Sequence, residues 1–224
     1  MANPSRFRRI FPVFIILFMA PIIVILLFRF GKNTYKPLPY YGASIGFAPN
    51  GDTLRHAIPS FSLMDQNGNP FGSDSLKGKI YVVDFFSLSN KETAKRLTKN
   101  LKTIRERFRN DKDFRVVCFS LDPLATPTVL KQFAEDNKIN SYQWHFLASS
   151  TDMDMGLIGE KGFLLKNSDF VPNQGSTLYS PAFELIDKEG NIRGKYIGID
   201  PDNTGTVVED AHTLFVYYAG QTSK

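Results

Sequence analysis

Few side chains in this sequence could carry redox or metal chemistry, and their spacing sets narrow limits. Cysteine occurs once, at Cys118. A single thiol excludes an internal disulfide, a cysteine-based zinc site and an iron–sulfur cluster. Cys118 lies in Val116-Val-Cys-Phe119, an apolar run in which a free cysteine behaves as a small hydrophobe, with no adjacent base to favour its thiolate. His56, His145 and His212 are far apart and lack H-x-x-x-H spacing, so they are expected to be structural. Asp200-Pro-Asp-Asn-Thr-Gly205 has the outline of a calcium loop, but its fifth position is Thr204 and its twelfth is Ala211 rather than glutamate; it reads as a turn into a final helix. Met153 and Met155 are the only paired soft donors, and two thioethers alone make a weak site. Asp84, Asp122 and Asp187 read as strand-end or turn residues rather than acid–base groups.

The elements that would position these side chains follow from hydrophobic periodicity. Ile58–Met64 alternates as a strand, and Asp65-Gln-Asn-Gly68 is a hairpin turn. Ile80-Tyr-Val-Val-Asp-Phe-Phe86 is a near-continuous apolar run, the mark of a buried central strand. Lys91–Arg109 is expected as a helix with Ala94, Leu97, Leu101, Ile104 and Phe108 as its apolar stripe. Phe114–Leu121 is a second buried strand. Thr126 and Pro127 open another helix, with Val129, Leu130, Phe133 and Ala134 as core positions. Trp144–Leu147 is a short strand, and Phe183–Ile186 and Ile192–Ile197 form a hairpin. Thr206–Tyr218 is a closing helix. This order predicts an α/β class, a thioredoxin-like fold with a central mixed sheet flanked by helices. In such sheets chemistry sits beyond the carboxyl ends of the parallel strands, here the loop after Phe86.

The formal charge of the 224-residue chain is +5, and it is unevenly placed. Arg6, Arg8, Arg9, Arg29, Lys32 and Lys36 meet no acid in residues 1–36, which leaves 21 bases and 22 acids in residues 37–224, a net of −1. Bulk charge therefore gives no reason to expect nucleic acid as a partner. Ile10–Phe28 contains no charged side chain and, as a helix, would be about 28 Å long, close to the ~30 Å hydrocarbon core of a bilayer. It is expected as one uncleaved transmembrane helix: residues 1–9 form a cytoplasmic N-terminus, 10–30 the anchor, 31–57 a tether, and 58–224 the thioredoxin-like domain on the periplasmic side.

The stretches Ile58-Pro-Ser-Phe-Ser-Leu63, Leu76-Lys-Gly-Lys-Ile-Tyr-Val-Val-Asp-Phe-Phe86, Phe119-Ser-Leu-Asp-Pro123, Thr126-Pro-Thr-Val-Leu130, Trp144-His-Phe-Leu147 and Phe183–Gly194 resemble, in this order, the Sco/SenC family. These are membrane-anchored copper chaperones and thiol reductases of cytochrome oxidase assembly. The resemblance implies a C-x-x-x-C motif just after the Phe-Phe strand and a distant histidine before the late hairpin. Two thiolates and an imidazole make a soft copper site or, alternatively, a redox dithiol. Here those positions fall on Asn90, Ala94 and Tyr179, and all three ligands are absent.

The expectation is a non-enzymatic, cofactor-free protein with a vestigial site. It would act by protein contacts, as an accessory subunit or assembly factor of a respiratory or other envelope complex. The alternative is a copper-delivery or thiol-redox factor that uses partner-supplied ligands. A peroxidase or other thioredoxin-like enzyme would need a reactive thiol at the first turn after Phe86. The helix from Lys91 also carries Lys95, Arg96, Lys99, Lys102 and Arg105, a stripe that is either a solvated face or a docking face for an acidic partner or anionic headgroups.

Overall fold

The computed structural model describes residues 17–23, 25, 37–49, 51, 53–148, 155–166, 171–172 and 178–222. The chain divides into two compact units, Met1–Lys36 and Pro37–Lys224. In the first, residues 17–23 and 25 are helical, and the rest of the expected span at 10–30 lies outside the described residues. Among the described residues no helix is long and apolar enough to cross a membrane.

The second unit is built on a five-stranded sheet. β1 (Ser44–Phe47) and β2 (Thr53–Arg55) form a separate hairpin, as do β3 (Ser62–Met64) and β4 (Pro70–Gly72). Then come β5 (Ile80–Phe86), α1 (Lys91–Arg107), β6 (Phe114–Ser120), α2 (Pro127–Asp136) and β7 (Trp144–Leu147). After helical turns at Met155–Leu157 and Ile158–Gly162 follow β8 (Val171–Pro172), β9 (Leu178–Tyr179), β10 (Ala182–Ile186), β11 (Ile192–Ile197) and α3 (Asp202–Thr222). The sheet order is β11-β10-β5-β6-β7. β5, β6 and β7 are parallel, and β10 runs antiparallel to both β5 and β11.

Every residue of β5 is buried, because helices cover one sheet face and the β3–β4 hairpin with the 155–165 segment covers the other. Ile80, Val82 and Phe86 pack with Leu97, Leu101 and Ile104 of α1 and with Val207 and Leu214 of α3. Tyr81, Val83 and Phe85 pack with Phe61, Leu63 and Phe163. The period of two sorts the side chains to the two faces. The stripe of α1 is buried as its spacing requires, and Thr126 caps α2 by accepting from the Val129 amide.

Three expectations change. Val129, read as core, is 45 % exposed, because it sits on the outward side of α2 while Leu130 beside it faces the core. The last helix begins at Asp202 rather than Thr206, since Asp200 accepts from the Asp202 amide at 3.0 Å and from Asn203 at 2.8 Å, and so caps the segment read as a turn. Of the tether expected over residues 31–57, the described part from Pro37 packs on the domain. The Tyr41 amide donates to Ile192 at 2.9 Å.

Arg193 is what holds that segment. It is buried and ion-paired with buried Asp187 at 3.0 Å, while Nε and Nη2 donate to the carbonyls of Pro39 and Leu38. Its guanidinium also lies 3.8 Å from the Tyr40 ring centroid, and Arg55 lies at the same distance. Removing one partner from such a pair strands a buried charge, at a cost of about 3–5 kcal/mol. Arg193→Leu is therefore expected to lower urea stability by about that amount and to abolish hydrogen-exchange protection at the Tyr41 amide; unchanged protection would show that the segment is held by other contacts.

Candidate functional site

The loop leaving the carboxyl end of β5 occupies the position where an open α/β sheet presents its chemistry. Its backbone is fixed by one carboxylate. Asp122, just beyond β6, accepts from Ser87 Oγ at 2.7 Å, from Ser89 Oγ at 2.9 Å and from the Leu88 amide. The Asp122 amide in turn donates to Ser120 Oγ at 3.2 Å. The ends of β5 and β6 are thus tied together through a Ser-x-Ser loop.

Asn90 follows as the N-cap of α1, with its side-chain oxygen accepting from the Thr93 amide at 3.1 Å. The residue is therefore engaged in starting the helix. Ala94, one turn later, is only 2 % exposed and packs in the core beneath α1. The backbone of Tyr179 pairs with Val171, and the neighbouring Ser180 amide donates to the Phe85 carbonyl at 2.9 Å, which sets this short strand beside the end of β5. The Tyr179 side chain lies outside the described residues. The fold thus brings the three expected positions to one end of the sheet, but their donor chemistry does not suit copper. Asn90 is a hard donor already in use, and Ala94 has no donor at all. Among the described residues, no group of three His, Cys, Asp or Glu side chains could hold a metal ion.

Cys118 is 1 % exposed in β6, and the Trp144 indole donates to its sulfur at 3.2 Å. Burial, reinforced by the nearby Asp84 carboxyl, pushes the thiol well above its ordinary value, so it behaves as core. Asp84 departs from the strand-end role expected of it. It sits in the middle of β5 rather than at its end, opposite Cys118 in the parallel register, and Oδ1 has no hydrogen-bond partner. Burial pushes its carboxyl well above the usual range, with partial relief from the Phe85 amide. An acid inside an otherwise apolar run was the available signal. Asp187 keeps its expected turn role, accepting from the Glu189 and Asn191 amides.

His56 lies 2.8 Å from the Gly162 carbonyl, and His212 is exposed on α3. His145 stacks on Phe71 with ring centroids 4.1 Å apart, and burial lowers its value to about 4 against the opposing pull of Asp65. Its Nδ1 is 3.7 Å from Asp65, too far for a hydrogen bond, so it is a packed rather than a satisfied histidine. Met155 is buried in the core, and Met153 lies outside the described residues.

A three-strand parallel core with an antiparallel pair on one edge, and a helix springing from the end of the central strand, defines a thioredoxin-like α/β protein. A sequence profile described as SCO1/SenC matches residues 50–144. The chain is 22 % identical over 163 residues to the SCO1 protein homolog of Bacillus subtilis, covering 71 % of this chain and 83 % of that protein. A SCO1/SenC family lipoprotein from Bacillus anthracis superposes with a TM-score of 0.62 at 26 % identity, over 70 % of this chain and 94 % of that one. The copper-bound ScoI of Arabidopsis thaliana superposes at 0.57 with 14 % identity, over 72 % and 99 % respectively. Over residues 50–144 the chain is thus similar to the SCO1/SenC family, and its fold is that of the solved members.

A carboxyl whose folded value is raised contributes stability that is complete below its unfolded value and is lost as pH rises through the folded value. Asp84→Asn removes that loss. Its melting temperature relative to the native chain is therefore expected to climb as pH rises from 4 to 8, each pH about one unit apart in a thermal-melt series. A difference independent of pH would place the Asp84 carboxyl outside the titration.

Proposed function

We propose that this chain is a membrane-anchored, non-catalytic Sco-like protein that acts through protein contacts, as an accessory subunit or assembly factor of a respiratory or other envelope complex. The observation that carries this reading is the use made of the two motif positions. Asn90 is spent on capping α1, and Ala94 is packed beneath it. A relative of the same fold, BsSco, is described as a member of the Sco family of cytochrome c oxidase assembly proteins. An oxidase-type complex is accordingly the partner class that this reading favours.

The anchor is residues 10–30, preceded by residues 1–9 on the cytoplasmic side, with the folded domain extracytoplasmic. The uncharged run at 10–28 supports it, as do the exposed apolar side chains on helical residues 17–23 and 25. A helix that is apolar on its exposed surface is suited to lipid.

The docking face is α1. Lys91, Lys95, Lys99 and Lys102 recur at helical spacing, are exposed, and have no ion pair among the described residues. Arg96 is tied to the Ile199 carbonyl at 3.1 Å, and Arg105 lies 3.6 Å from Glu106, which is held more closely by Arg109. The four lysines, together with exposed Arg107, are therefore the charges of α1 available to a partner. At the far end of α1 they lead into an open groove of about 550 Å³ whose lining carries Lys102, Arg105, Arg107 and Lys138 against one acid, Glu106. Uncompensated charge of one sign on a neutral domain steers encounter with an acidic surface.

The test is purification of the full chain in mild detergent, followed by identification of its stoichiometric partner. The expected result is a complex with an acidic-surfaced membrane protein that dissociates with rising salt. Combined Lys95→Glu, Lys99→Glu and Lys102→Glu should prevent it without changing the melting temperature. A chain that migrates alone, or a complex indifferent to these substitutions, would remove α1 as the docking face.

A further inference from the structure

The β1–β2 hairpin stands apart from the central sheet as its own two-stranded ribbon. Such a ribbon is marginal in water unless something covers it. Strand alternation puts Ile45 and Phe47 on one face, where they are 69 % and 74 % exposed, while Leu54 on the other face is 45 % exposed. The two strands contain no acid, and their one base, Arg55, is stacked on Tyr40.

The size of the patch selects its occupant. Ile45 and Phe47 together present on the order of 300 Å² of apolar surface. A stable protein interface buries about 800 Å² on each partner, more than twice as much. A bilayer imposes no such threshold on a chain already held at its surface, because the second contact is intramolecular. Eleven residues separate Ile25 from Pro37 in the sequence, which allows a span of at most about 40 Å. Tyr40 and Tyr41, at the hairpin base, combine an apolar ring with a polar tip, the chemistry found at headgroup level.

We propose that Ile45 and Phe47 insert into the headgroup–acyl boundary of the bilayer that holds the anchor. This rests on the anchored reading above. Because Tyr40 lies between Arg55 and Arg193, the hairpin base is fixed to the domain, and lipid contact at the hairpin sets the orientation of the whole domain on the membrane.

The experiment uses the full chain reconstituted in phosphatidylcholine–phosphatidylglycerol vesicles with brominated acyl chains. Phe47→Trp introduces a second indole, and the native Trp144, buried in the core, gives the baseline. The expected result is bromolipid quenching several-fold above that of the unsubstituted chain, and Ile45→Trp repeats the measurement at the neighbouring position. Quenching no greater than baseline at both positions overturns the proposal. Flotation of the same vesicles after alkaline carbonate separates the two readings. Protein that floats without quenching rejects the hairpin contact alone, and protein that does not float rejects the anchor with it.

Discussion

Burial of β5 on both faces is the constraint from which the rest of the domain follows. A strand with all seven residues inside must be covered by helices on one side and by a hairpin and loop on the other. It can leave the core only at its ends. Its carboxyl end therefore delivers Ser87–Asn90 to the edge of the sheet, where Asp122 from the parallel neighbour ties the loop down and Asn90 starts α1. The same burial makes Asp84 an anomaly. A carboxyl midway along such a strand reaches neither solvent nor a cation, and it sits in the core with an oxygen unpaired. Removing a polar group from water without a partner opposes folding. The domain is held against that cost by the aromatic packing around Phe85, Phe119 and Phe163 and by the Asp187–Arg193 pair at the opposite edge.

Two kinds of group share the site end of the sheet. The backbone scaffold is intact: parallel β5 and β6, a clamped loop, a capped helix, and the strand of Tyr179 docked beside Phe85. The side chains projected by that scaffold are an amide committed to capping and a buried methyl group. Neither Asn90 nor Ala94 offers a soft donor there, while Cys118 serves the core. The interaction surfaces proposed above lie elsewhere, in the lysines of α1 and in the apolar side chains of the β1–β2 hairpin.

The sequence was most legible where periodicity is unambiguous. β5, α1 and β7 fall within two residues of their expected bounds, because a seven-residue apolar run and a 3.6-period stripe each admit one packing solution. It was least legible where long-range polar contacts decide. Nothing near Pro37 announces that Arg193, more than 150 residues away, will gather the Leu38 and Pro39 carbonyls and the Tyr40 ring. Asp122 read as a turn residue because its three acceptor contacts come from a different strand end. Asp200 caps the last helix through the Asp202 amide, a role that the calcium-loop outline of Asp200–Gly205 masks in the sequence.

Copper binding by the purified full chain tests the central claim most directly. After incubation with excess copper under reducing conditions and dialysis against a competing chelator, metal analysis should find far less than one copper per chain. That residue of metal should be unchanged by Cys118→Ser. One copper per chain that survives the chelator, or metal lost on that substitution, would contradict a site whose fold outlived its chemistry.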